Sequence, residues 1–161
     1  MRKAFVKIIN KRLQDIFLKH KALLGLNFAS LPHQLTTEPL HLINNILEFH
    51  RQKIQSQEHK NDDLLILFQD MSKAFDRVNI YMLQKAMARL KIPPSAIALI
   101  SGLFLNWKNT VFTTFGNTDL YDVLVGIDQG EVISPLLWVI YYDPLLARIQ
   151  QTDLGYKMET A

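Results

Sequence analysis

Apolar residues recur at helical spacing from the start of the chain. Val6, Ile9, Leu13, Ile16 and Phe17 share one face of residues 3–20, with Lys3, Lys7, Lys11 and Arg12 elsewhere on the surface, which predicts an amphipathic helix. Residues 25–37, with Gly25, Asn27, Ser30, Pro32 and His33, read as a loop. Thr36 or Thr37 can cap a second helix, and Pro39 falls in its first turn, where a missing N–H does no harm. That helix runs to about Gln55, with Ile43, Ile46, Leu47 and Ile54 inward, and the polar run 55–63 follows as a surface loop.

The pattern then changes. Leu64-Leu65-Ile66-Leu67-Phe68-Gln69 is apolar without alternation, which predicts a strand buried on both faces at the centre of a sheet. A helix over about 80–91 has Asn79 as cap and Leu83, Met87 and Leu90 inward. Pro93-Pro94 stops it, and Ser95 is expected to cap another helix reaching about Trp107. Thr110–Phe115 and Leu120–Val125, joined through Gly116-Asn117, read as a hairpin. Ser134-Pro135 predicts a helix start by hydroxyl cap and first-turn proline, and Pro144 is expected to kink or end that helix. Helices interleave with strands around an antiparallel hairpin, so the fold class is α+β, helices packed on a small, mostly antiparallel sheet.

Composition narrows the setting. A chain of 161 residues, 48% hydrophobic and 20% charged, suits one domain or a large part of one. No apolar stretch approaches the roughly 20 residues a bilayer span needs, so no membrane partner is expected. The basic N-terminus lacks the apolar core of a secretory signal, so the protein is expected to be intracellular rather than secreted, with cytoplasm and nucleus both open. Without cysteine there are no disulfides or thiolate metal sites. His33, His41, His50 and His59 lack the i, i+4 spacing of a helical metal pair, so zinc is not expected. Net charge is +3, yet residues 1–24 carry seven Lys or Arg against Asp15 alone. Such a basic end fits either a polyanionic partner or a solvated helix face.

Two strings carry candidate chemistry. Asp70-Met71-Ser72-Lys73-Ala74-Phe75-Asp76-Arg77-Val78 follows the apolar run directly. A carboxylate at the exposed end of a strand suits a hard divalent cation, although aspartate is equally favoured as a helix cap. The second string, Gly126-Ile127-Asp128-Gln129-Gly130-Glu131-Val132-Ile133-Ser134-Pro135, has Gln129 59 residues after Asp70.

In this order and spacing the strings resemble motifs A and B of reverse transcriptases, most closely those of non-LTR (LINE-type) retroelements. Leu64–Val78 resembles motif A, an apolar strand ending in a metal-binding Asp with an aromatic residue five positions on; Gln129-Gly130-x-x-x-Ser134-Pro135 resembles motif B. Arg2–Leu13 and Asn27–Asn45 resemble fingers segments of the same enzymes, although relatives tend to have glycines where His33-Gln34 stand. The resemblance implies a partial fingers–palm of a right-hand polymerase, with fingers over about 1–62 and palm over about 63–161. It implies magnesium, or manganese, as cofactor, and an RNA template, a DNA primer and deoxynucleotide triphosphates as partners.

By the same resemblance Asp70 is the catalytic residue and metal ligand. Phe75 is a steric gate against the ribose 2′-hydroxyl, the group that separates RNA from DNA precursors; simple core packing is the other reading of that ring. Gln129 and Gly130 lie against nucleotide and template, and Ser134 and Pro135 support that loop. Lys7, Lys11 and Arg12 are candidate contacts to template phosphates. Lys73, Asp76, Asp128 and Glu131 are assigned no catalytic part.

Two-metal nucleotidyl transfer needs clustered carboxylates. The family's Tyr-x-Asp-Asp hairpin, motif C, has no counterpart in this sequence. Tyr141-Tyr142-Asp143-Pro144 does not supply it, because Pro144 occupies the second Asp position and the string falls inside the helix begun at Ser134. The expectation is a truncated, inactive segment of the polymerase, or a nucleic-acid-binding remnant of its fold.

Overall fold

The computed structural model describes residues 2–24, 26–32, 35–55 and 63–157. Gly25, His33, Gln34, His59 and most of the expected 55–63 loop lie outside the described residues.

Helix α1 spans Arg2–His20 and buries Val6, Asn10, Leu13 and Phe17. These positions, spaced 4, 3 and 4 apart, form one stripe, so Ile16 falls off it and is half exposed, while polar Asn10 sits in the core. The chain leaves α1 through Lys21, at φ 46°, with Ala22 N–H donating to Phe17 C=O at 3.1 Å. Helix α2, Thr37–Gln55, buries no residue fully. Ile43 and Ile46 are half-buried, but Leu47 and Ile54, expected inward, are exposed. The apolar stripe is real; among the described residues too little packs over it.

The largest departure from expectation is at 64–69. This run forms no strand and no ladder, and Leu65 is 92%, Leu67 89% and Phe68 79% exposed. A strand exists only where neighbouring strands take up its backbone N–H and C=O groups. Among the described residues no strand lies beside it.

Helix α3, Ile80–Arg89, forms as expected. Asn79 has extended backbone, and its side-chain oxygen accepts from Met82 N–H at 3.1 Å. Leu83 and Met87 are fully buried and Leu90 partly so. Replacing this cap, Asn79→Ala, should cost about 1 kcal/mol in a thermal or urea melt. Helix α4, Pro94–Gly102, starts one residue before the expected cap: Pro93 is the flanking residue, its C=O accepts from Ala96 and Ile97, and Ser95 caps nothing. It also ends short of Trp107, because the chain turns through Asn106 at φ 55°.

Trp107 instead opens strand β1, Trp107–Asn109, antiparallel to β4, Tyr121–Val123. Between them β2, Phe112–Thr113, pairs with β3, Gly116–Asn117. The hairpin turn is therefore at Thr114-Phe115, and Gly116-Asn117 pair across the ladder. Helix α5, Ser134–Gln151, continues past Pro144 and does not end there. Ser134 is its first helical residue, not its cap, and Pro135 the second.

The class is α+β, with small antiparallel ladders, but the helices pack mainly on one another. The core joins Val6, Leu13 and Phe17 of α1, Leu83 and Met87 of α3, Ile100 of α4 and Leu136, Leu137 and Ile140 of α5. Deep burial of such side chains contributes about 1.5–3 kcal/mol each. The expected helix-on-sheet core is thus replaced by a helical one.

Candidate functional site

Residues 72–77 turn the chain sharply after Asp70. Lys73 adopts φ 52°, its C=O accepts from Arg77 N–H at 3.2 Å, and Phe75–Arg77 form one 3₁₀ turn. The second string docks on this turn through its backbone: Gly126 N–H donates to Val78 C=O at 2.8 Å and Ile127 N–H to Phe75 C=O at 3.0 Å. Gly126 is at φ 101°, and a Cβ there would lie 2.9 Å from the Asp76 carbonyl oxygen. Only glycine permits that approach. The two strings, far apart in sequence, are one joint.

Asp70 is exposed and, with Met71, Ser72, Ala74 and Arg77, lines a cavity of about 220 Å³ whose other wall is Trp138 and Tyr141 of α5. Phe75 is half-buried against the core, its ring edge-on to Trp138 with centroids 6.2 Å apart. Trp138 in turn stacks on Tyr142 at 5.5 Å. A neighbouring cavity of about 470 Å³ shares Met71 and Tyr141 and adds Met82, Lys85 and Arg89 of α3.

Gln129 and Gly130 are exposed and do not line the Asp70 cavity. The Gly130 N–H donates to Asp128 Oδ1 at 2.9 Å, and a Cβ at Gly130 would come no closer than 3.4 Å to a side-chain atom. Gly130 is thus not demanded by the chain itself, in contrast to Gly126. Ser134 is fully buried, and its hydroxyl donates to the Asp128 carbonyl, tying the loop to the start of α5; Pro135 is exposed. Glu131 pairs with Arg2 at 3.0 Å, and Arg2 also donates to Leu103 C=O, so the first turn of α1 buttresses the same loop. Lys7, Lys11 and Arg12 are exposed on α1. His41 is exposed and His50 packs edge-on to Tyr156.

Sequence reasoning missed Gly126, Trp138, Tyr141 and the Arg2–Glu131 pair. The signal for Gly126 is an isolated glycine ending the apolar Leu124-Val125 run, a pattern that suggests a bulge or close backbone approach. Among the described residues no three His, Asp or Glu side chains gather as a metal site. Asp70 alone does not complete a divalent-cation centre.

The turn after Asp70, the Gly126 loop bonded to it and α5 behind the cavity form one connected unit. A sequence model of the family described as "Reverse transcriptase (RNA-dependent DNA polymerase)" matches residues 1–158, and the chain belongs to that family. Searches of curated proteins and of solved structures found no match. Reverse transcriptases use divalent metal ions and act on a nucleic-acid template and primer with nucleotide substrates. No helix among the described residues is long and apolar enough to cross a membrane.

Proposed function

We propose that this chain is part of the fingers and the first half of the palm of a non-LTR (LINE-type) retroelement reverse transcriptase, with the fingers segment over about 1–62 and the palm segment over about 63–161. The parent reaction is RNA-templated addition of deoxynucleotides to a primer 3′-end. Asp70 is one carboxylate ligand of magnesium, Phe75 the gate against a 2′-hydroxyl, and Gln129 and Gly130 the contacts to nucleotide and template. Ser134 and Pro135 hold that loop, and Lys7, Lys11 and Arg12 meet template phosphates. The observation that carries this reading is the backbone joint of Gly126 and Ile127 with Val78 and Phe75, which unites the turn after Asp70 with the Gln129 loop.

One carboxylate binds magnesium weakly in water, so the segment alone is inactive. Purified chain should extend an RNA-templated primer no faster than an Asp70→Asn control with magnesium or manganese; robust incorporation would refute the inactivity. The lack of a three-ligand acidic group among the described residues favours a second reading, a non-catalytic nucleic-acid-binding remnant. RNA binding that survives Asp70→Ala and ignores magnesium would favour the remnant over the polymerase segment.

A further inference from the structure

Asp143 is a fully buried charge in the middle of α5. Its Oδ1 accepts the backbone N–H of Leu24 at 2.9 Å, across 119 residues, and its Oδ2 pairs with Arg89 Nη2 of α3, across 54. The carboxylate therefore joins the segment after α1 to α3 and to α5, whose Trp138 and Tyr141 wall the Asp70 cavity. Arg89 also lines the cavity that shares Met71 and Tyr141 with it. Farther along the same segment, Gln14 Nε2 donates to Ser30 C=O at 2.9 Å, which holds that end to α1. Ala22 and Leu23 rest only partly buried against the core.

Replacing a whole buried ion pair with apolar groups is often neutral or stabilising, whereas removing one partner alone is destabilising. A carboxylate instead fixes direction, because its oxygens must meet specific donors. We propose that Asp143 is a positioning residue: it pins the segment after α1 to the α3–α5 pair and so sets the fingers against the palm. The pin is read from contacts alone; its consequence for the polymerase rests on the fingers–palm reading above.

Two substitutions separate positioning from packing. Asp143→Leu keeps bulk but offers no acceptor, whereas Asp143→Asn keeps an oxygen for Leu24. Amide exchange of the whole chain is followed by NMR at Leu24 and, as reference, at buried Leu83, whose N–H donates to Asn79 C=O in the first turn of α3. Loss of one such hydrogen bond should speed Leu24 exchange about tenfold or more in Asp143→Leu, with Leu83 unchanged and Leu24 in Asp143→Asn within about threefold of wild type. Leu24 protection undiminished in Asp143→Leu overturns the proposal. So does loss of protection in Asp143→Asn as large as that expected for leucine, which decides the matter even if the leucine variant does not fold. Primer–template affinity of the wild type is measured alongside. A chain that binds no primer–template sinks the polymerase reading but leaves the exchange result standing, and the converse also holds.

Discussion

Gly126→Ala should lower stability by about 2–6 kcal/mol, the sum of left-handed backbone strain and overpacking against the Asp76 carbonyl. Gly126 is at φ 101°, and the new methyl would meet that backbone oxygen at 2.9 Å, with no flexible side chain to give way. Gly116 is the control, because it too has positive φ, 117°, but open space around it. Gly116→Ala should therefore cost only the strain, about 1–3 kcal/mol. Urea melts of the two variants measure the difference, which is the contribution of the close approach itself. Equal losses would mean that the Gly126 loop does not press on the turn after Asp70. Since domains are stable by only about 5–15 kcal/mol, the Gly126 change is large enough to populate unfolded chain.

Leu83→Ala should cost about 2–5 kcal/mol, whereas Leu67→Ala should change stability by less than about 0.5 kcal/mol. Leu83 is fully buried in the core that α3 shares with α5, and its loss leaves a cavity there. Leu67 is 89% exposed in a run with no strand beside it among the described residues. Thermal melts of both variants check the contrast. A Leu67→Ala loss as large as that of Leu83→Ala would mean that the apolar run is buried after all.

That contrast also shows what could be read in the residues and what could not. Asn79, Pro93 and the 80–91 stripe act locally, through a cap, a missing N–H and a helical period, and their helix formed as expected. The Leu64–Gln69 run carries an equally clear pattern, yet its burial depends on neighbouring strands that no local pattern encodes. Ser134 was recognised as part of a helix start, but its hydroxyl turns back to the Asp128 carbonyl, a loop contact invisible to a capping rule.

The site divides in the same way. Asp70 stands out at the end of an apolar run and Phe75 only through the resemblance to motif A, whereas Trp138, which closes the cavity and meets Phe75, has no such signal. Asp143 was correctly read as part of a helix, but its partners lie 54 and 119 residues away, beyond any periodicity. Gly126 needed knowledge of what its backbone would meet.

The central claim is that the turn after Asp70 and the helix begun at Ser134 build one site, and its most direct test is a nuclear Overhauser spectrum of the folded chain. Ring protons of Phe75 should show clear cross-peaks to the indole of Trp138, whose centroid is 6.2 Å away in an edge-on arrangement. Cross-peaks from Phe75 confined to its own sequence neighbours, with both aromatic side chains assigned, would contradict it.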